Sequence, residues 1–143
     1  MSNVRRHMPI IRIGSESEYV SIALPPSYSR DGFAQADVEI AVRCFHGRIS
    51  PWIEAADFER FSTQLRAMYD SLQGEAEFSP LDKQFTLKLV CTVGGHVQAT
   101  GEAWSQATYE NKLKYVLELD QSYLLGPIQE LERMLAAPTK SDA

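Results

Sequence analysis

The sequence predicts an α+β domain, a mainly antiparallel sheet with two helices packed on one face. Two segments carry apolar residues at three- and four-residue spacing, the signature of a one-sided helix. Most of the remaining chain alternates apolar and polar residues, as half-buried strands do. The chain has 143 residues, 44% hydrophobic and 23% charged, which suits one globular core and is short for two.

Residues 1–8 and 138–143 are expected to be loose ends, leaving a single domain over 9–137. Short strands are expected at Pro9–Ile13 and Glu18–Leu24, the second ended by Pro25-Pro26 because proline cannot donate to a ladder. At Ala36–Phe45, Val38, Ile40, Val42 and Cys44 share one face, opposite Asp37, Glu39 and Arg43. Gly47 ends or bulges that strand, and Arg48–Glu54 continues or returns it; both readings stand. A helix follows from Asp57, its N-cap, to Gln73, burying Phe58, Phe61, Leu65, Met68, Tyr69 and Leu72, with Gly74 closing it.

In the next strand Phe85, Leu87, Leu89, Cys91 and Val93 form an inward row. A two-residue turn at Gly94-Gly95 would bring Gln98, Thr100 and Glu102 inward. A three-residue loop, Gly94-Gly95-His96, opposes Val93 to Val97, Cys91 to Ala99, Leu89 to Gly101 and Leu87 to Ala103, and is the expected register. Ala99, Gly101 and Ala103 then make a shallow trough for Phe58, Phe61 and Tyr69. Leu113, Tyr115, Leu117 and Leu119 give the last strand its buried row. The second helix is expected over Tyr123–Ala137, with Pro127 in its first turn, where a missing N–H costs little.

The composition restricts function. Nineteen acidic against 14 basic side chains leave a net charge of −5, which argues against a nucleic-acid binder and suits a basic partner. Neither an apolar leader nor an apolar run of spanning length occurs in the sequence, so no membrane is implied. Cys44 and Cys91 lie in strand patterns, which reads as a reduced, cytosolic protein.

Catalytic signatures are sparse. The three histidines, His7, His46 and His96, have neither the spacing of a helical zinc site nor a Cys-x-x-Cys beside them, so no metal or other cofactor is expected. Cys44 and His46 share a strand face as a possible thiolate–imidazole pair, but Cys44 follows an inward apolar row and reads as core. Glu75/Glu77 and Asp37/Glu39 place carboxylates two apart on strands, the pattern of a solvated face. An enzyme would have to use His46, Glu102 or Cys44. Trp104 is either an interface anchor on the polar face or a cover beneath the Ser105–Asn111 loop.

Three stretches carry a family likeness: Leu72-Gln73-Gly74-Glu75-Ala76-Glu77-Phe78-Ser79-Pro80-Leu81; Gly95-His96-Val97 with Gly101-Glu102-Ala103; and Leu117-Glu118-Leu119-Asp120-Gln121-Ser122-Tyr123-Leu124. Their order and separation resemble the WapI-like immunity proteins of bacteria, over about Ala36 to Ala137. The resemblance implies a cytosolic protein that silences a polymorphic toxin, typically a nuclease-like tip of a secreted effector, without cofactor or catalysis. A chaperone or adaptor for a secreted effector is the alternative binding role. Combined with the net charge, the resemblance makes Glu39, Glu75, Glu77 and Glu102 the expected partner-binding residues, with Trp104 as anchor.

Overall fold

A computed structural model describes residues 9–136. The first half holds β1 (Ile10–Gly14), β2 (Tyr19–Ala23), β3 (Phe33–Gln35), β4 (Asp37–Val42), β5 (Phe45–Ile49), β6 (Trp52–Glu54) and α1 (Ala55–Ser71). The second holds β7 (Gly74–Phe78), β8 (Phe85–Cys91), β9 (His96–Trp104), β10 (Lys112–Asp120) and α2 (Leu125–Ala136). Every pairing is antiparallel. One four-stranded sheet runs β1-β2-β4-β5, another β10-β9-β8-β7, and β3 with β6 forms a two-stranded ribbon.

The α+β class, the antiparallel ladders and the two helices stand as the sequence predicts, with the strands shared between two sheets. The halves repeat one plan: a four-stranded meander closed by a helix, the first interrupted by the β3–β6 ribbon. The sequence shows no repeat because a meander needs only alternation and turns, which unrelated residues supply equally well.

Each sheet buries one face. Ile11, Ile13, Val20, Ile22, Val38 and Ile40 are inward in the first sheet; Phe85, Leu87, Leu89, Val97, Ala99, Leu117 and Leu119 in the second. They join the apolar faces of both helices in one core. Helix α1 lies against β7, α2 against β1, and the helices meet each other. Phe78 of β7 contacts Phe58 and Phe61 of α1 with ring centroids 5.0 and 5.7 Å apart, and Phe85 of β8 at 5.9 Å. Burying each of these rings contributes roughly 1.5–3 kcal/mol, which makes the aromatic cluster the chief tie between α1 and the second sheet.

Several expectations are corrected. Asp57 is not the N-cap of α1 but its third residue, only 3% exposed. Glu54 caps the helix, and the Asp57 carboxylate accepts the Glu54 N–H at 2.8 Å in a reciprocal capping box. The helix closes at Leu72 in the left-handed conformation, not at Gly74, which begins β7. Helix α2 starts at Leu125, after a 3₁₀ turn at Gln121–Tyr123 capped by Asp120; Pro127 does lie in its first turn. Ala137 and the expected loose ends, 1–8 and 138–143, lie outside the described residues.

The Ala36–Phe45 segment turns earlier than its alternation implies. Val42 pairs with Phe45, so Arg43 and Cys44 form a two-residue hairpin turn, and Cys44 takes a left-handed φ of 69°. Cys44 is therefore exposed, while Cys91 is buried as expected. Gly47 neither turns nor ends the strand; it pairs with Ile40 inside β5.

The β8–β9 register also differs. Cys91 opposes Val97, Leu89 opposes Ala99, Leu87 opposes Gly101 and Phe85 opposes Ala103. The loop includes a 3₁₀ turn at Val93–Gly95, with Gly94 and Gly95 both at positive φ, and Val93 is 97% exposed. The shift is two residues, so the paired side chains keep their expected faces while Val93, expected in the inward row, is exposed in the loop; alternation alone cannot distinguish such registers. Gly101 is not a slot for α1. Tyr115, its partner on β10, lies across it and donates from its hydroxyl to the Thr86 carbonyl at 2.7 Å. Burial pushes the Tyr115 phenol well above its usual pKa.

Candidate partner-binding surface

The outer face of the second sheet collects Glu75 and Glu77 from β7, Lys88 from β8, Gln98, Glu102 and Trp104 from β9, and Lys112, Lys114 and Glu118 from β10. Their placement follows from alternation, since each is flanked by residues that face the core. Glu75 meets Lys88 at 3.3 Å and Glu102 meets Lys112 at 3.5 Å. His96 contacts Glu118 at 2.6 Å while the Gln98 amide donates to the same carboxylate at 3.0 Å. The Gln98 and His96 contacts hold Glu118 below the usual carboxylate range. The face is thus polar and of mixed sign, with lysines set among the carboxylates.

Four of the five expected binding residues, Glu75, Glu77, Glu102 and Trp104, share this face. Glu39 does not: it stands on β4 in the first sheet, 2.6 Å from His46, and that hydrogen bond lowers its pKa. The edge of β7 is already occupied at one point, because Gln64 of α1 accepts the Glu77 N–H at 2.8 Å. Such side-chain caps on an edge strand discourage further pairing there.

Trp104 packs against the Ser105–Asn111 loop, the second of its two expected readings. Its ring packs edge-on against Tyr109 of the following loop at 4.9 Å, and the Lys112 ammonium sits 5.1 Å from its centroid. It is half-buried, so one edge remains open to solvent. Tyr109 donates to the Asp82 carbonyl at 2.7 Å, tying the β9–β10 loop to the β7–β8 loop beside Leu81, which is 77% exposed.

A groove of about 390 Å³ opens where β5 faces the adjacent ends of β9 and β10, lined by Phe45, Gly47, Ile49, Ala103, Lys112 and Leu113. Phe45 is 62% exposed at its mouth. Sequence reasoning missed Phe45 and Tyr109. The turn at Arg43–Cys44 is what brings Phe45 to the groove, and Tyr109 lies in a loop where no periodicity marks it.

The residues singled out for a possible enzyme do not come together in one site. His46 is bonded to Glu39, Glu102 is paired with Lys112, and Cys44 occupies the hairpin turn. Among the described residues no three His, Cys, Asp or Glu side chains converge as a metal site, and no helix is long and apolar enough to cross a membrane.

No curated protein matches the chain significantly. Among solved structures, the crystal structures of Trypanosoma bruciei MRP1/MRP2 align at a TM-score of 0.53 and 12% identity, covering 91% of this chain and 85% of that one. That likeness concerns the fold alone. The family model described as the Immunity protein WapI-like family matches residues 11–139, nearly the whole chain, and contains all the described strands except the first residue of β1. The chain belongs to the WapI-like immunity protein family.

Proposed function

We propose that the protein binds a cognate toxin domain in the cytoplasm and silences it by covering its active site, without catalysis of its own. The family match over residues 11–139 carries this reading. Helices and loops packed on a continuous core provide a rigid body, which suits inhibition by occupation because little ordering entropy is lost on binding.

The outer face of the second sheet is the proposed contact, with Glu75, Glu77 and Glu102 meeting basic groups of the toxin and Trp104 as anchor. Glu39 would contribute from the first sheet. If the toxin is a nuclease, its substrate groove is basic, and these carboxylates stand where phosphates would lie. The net charge of −5 favours approach of such a partner.

Purified protein should form a complex with the toxin domain encoded beside its gene and abolish that domain's activity at a 1:1 ratio. Replacing the four glutamates with glutamine should slow association at low salt while leaving the fold unchanged. A wild-type association rate equal to the variant's at every ionic strength rules out the carboxylate contact. Failure of the neighbouring toxin domain to bind at all rules out the immunity reading for that pair.

A further inference from the structure

The open edge of β5 has a chemistry of its own. β5 ends its sheet, and among the described residues no other strand pairs with its outer row of backbone N–H and C=O groups. Sheet edges of this kind bind extended segments through main-chain hydrogen bonds, with specificity set by alternate side chains. Phe45, Gly47 and Ile49 line the groove of about 390 Å³, where Gly47 leaves a gap between two apolar neighbours and Leu113 forms the far wall. The intervening residues, His46 and Arg48, lie exposed on the opposite face.

Charge decides what could occupy this edge. The segment 43–49 carries Arg43, His46 and Arg48 and no acidic residue, although the chain as a whole is at −5. Lys112 also lines the groove, with Glu102 3.5 Å from its ammonium. The nearby carboxylates, Glu39 at 2.6 Å from His46 and Asp37 at 3.6 Å from Arg48, stand one strand inward on β4, away from the open edge. A second copy of β5 fits poorly. Antiparallel self-pairing that keeps the faces matched offers Arg48 no acidic partner, because the 43–49 segment contains none.

We propose that the β5 edge is a docking site for an extended protein segment that alternates acidic and apolar residues. Its carboxylates lie opposite His46 and Arg48, and its apolar side chains enter the groove beside Phe45, Gly47 and Ile49. The five-residue edge spans about 17 Å, enough for an added strand of similar length. This site rests on β5 and its groove and does not require that the partner be a toxin.

A fluorescent seven-residue peptide alternating glutamate and valine tests it, with a lysine–valine peptide and a glutamate–valine peptide N-methylated on its pairing edge as controls. The glutamate–valine peptide should bind at least about tenfold more tightly than either control, and its affinity should fall with salt. Amide shifts in the nuclear magnetic resonance spectrum should concentrate on 45–49, and Arg48→Glu should reverse the preference between the two charged peptides. Equal binding of all three peptides, or shifts centred on β7–β10, overturns the proposal. So does a dimer in sedimentation that Arg48→Glu abolishes, which would make the occupant a second copy.

Discussion

Gly101→Ala tests how the second sheet is packed. A Cβ built on Gly101 would stand 2.0 Å from the Thr86 carbonyl oxygen and 2.3 and 2.6 Å from the hydroxyl oxygen and ring Cζ of Tyr115. Ordinary carbon–oxygen contacts are more than an ångström longer. The Thr86 carbonyl belongs to the middle strands of the ladder, and Tyr115 is 2% exposed, so neither can yield freely. Overpacking of this kind costs about 1–3 kcal/mol, and displacing the hydroxyl from Thr86 removes a hydrogen bond contributing about 1 kcal/mol. Alanine's lower backbone entropy in the unfolded chain offsets roughly 0.4–1 kcal/mol. The net expectation is about 2 kcal/mol, which at a urea slope near 2 kcal/mol per molar lowers the midpoint by about 1 M. Tyr115→Phe alone should cost about 1 kcal/mol, but little in the Gly101→Ala background, where the hydrogen bond is already broken. An unchanged midpoint for Gly101→Ala, or strict additivity of the two changes, would show that Tyr115 does not lie across Gly101.

Asp57→Ala should lower stability by about 1–2 kcal/mol in a urea titration, because it opens one arm of the capping box at the start of α1. Hydrogen bonds from Arg66, His46 and Gln98 lower the folded-state pKa values of Glu132, Glu39 and Glu118 respectively below 4.5. Their stabilisation is therefore complete above that value and lost as pH falls through the depressed ones, and Glu132→Gln should flatten part of the acid limb of a stability–pH profile. Under native conditions iodoacetamide should label Cys44 quickly and Cys91 only after unfolding, as read by mass spectrometry; rapid double labelling would place Cys91 at the surface.

What the sequence made legible was parity. Val38 and Ile40, Leu87 and Leu89, and Leu117 and Leu119 all face inward as alternation predicts. Parity cannot fix where a strand turns or how far it slides. Cys44 continued the apolar row of β4, so nothing in the pattern revealed that Arg43 and Cys44 form the turn; only a left-handed φ at a residue that seldom adopts one does so. Gly94-Gly95 signalled a turn correctly, but a pair of positive-φ glycines accommodates loops of different lengths, and a two-residue slip leaves every face intact. The helices were legible to within two residues at each described end, because their boundaries depend on side-chain caps more than on periodicity.

The candidate surface was legible in part for a related reason. Glu75, Glu77, Glu102 and Trp104 fall together because parity placed them, whereas Glu39 belongs to a different sheet, which alternation cannot assign. The three-dimensional charge map also changes what net charge can mean. Glu75 and Glu102 have lysine partners on the same face, so the −5 is not concentrated there as a single-sign patch. Meanwhile β5 itself carries Arg48 and no acidic residue, and it presents an open edge beside an apolar groove. Long-range approach of a basic partner depends on total charge, and close docking depends on what the unpaired backbone and nearest side chains offer. The acidic whole and the cationic edge can therefore serve successive stages of one encounter. A partner drawn in by the overall field would still need an acidic, apolar-alternating segment to pair with β5, and a partner lacking one would be held only by the mixed-charge face.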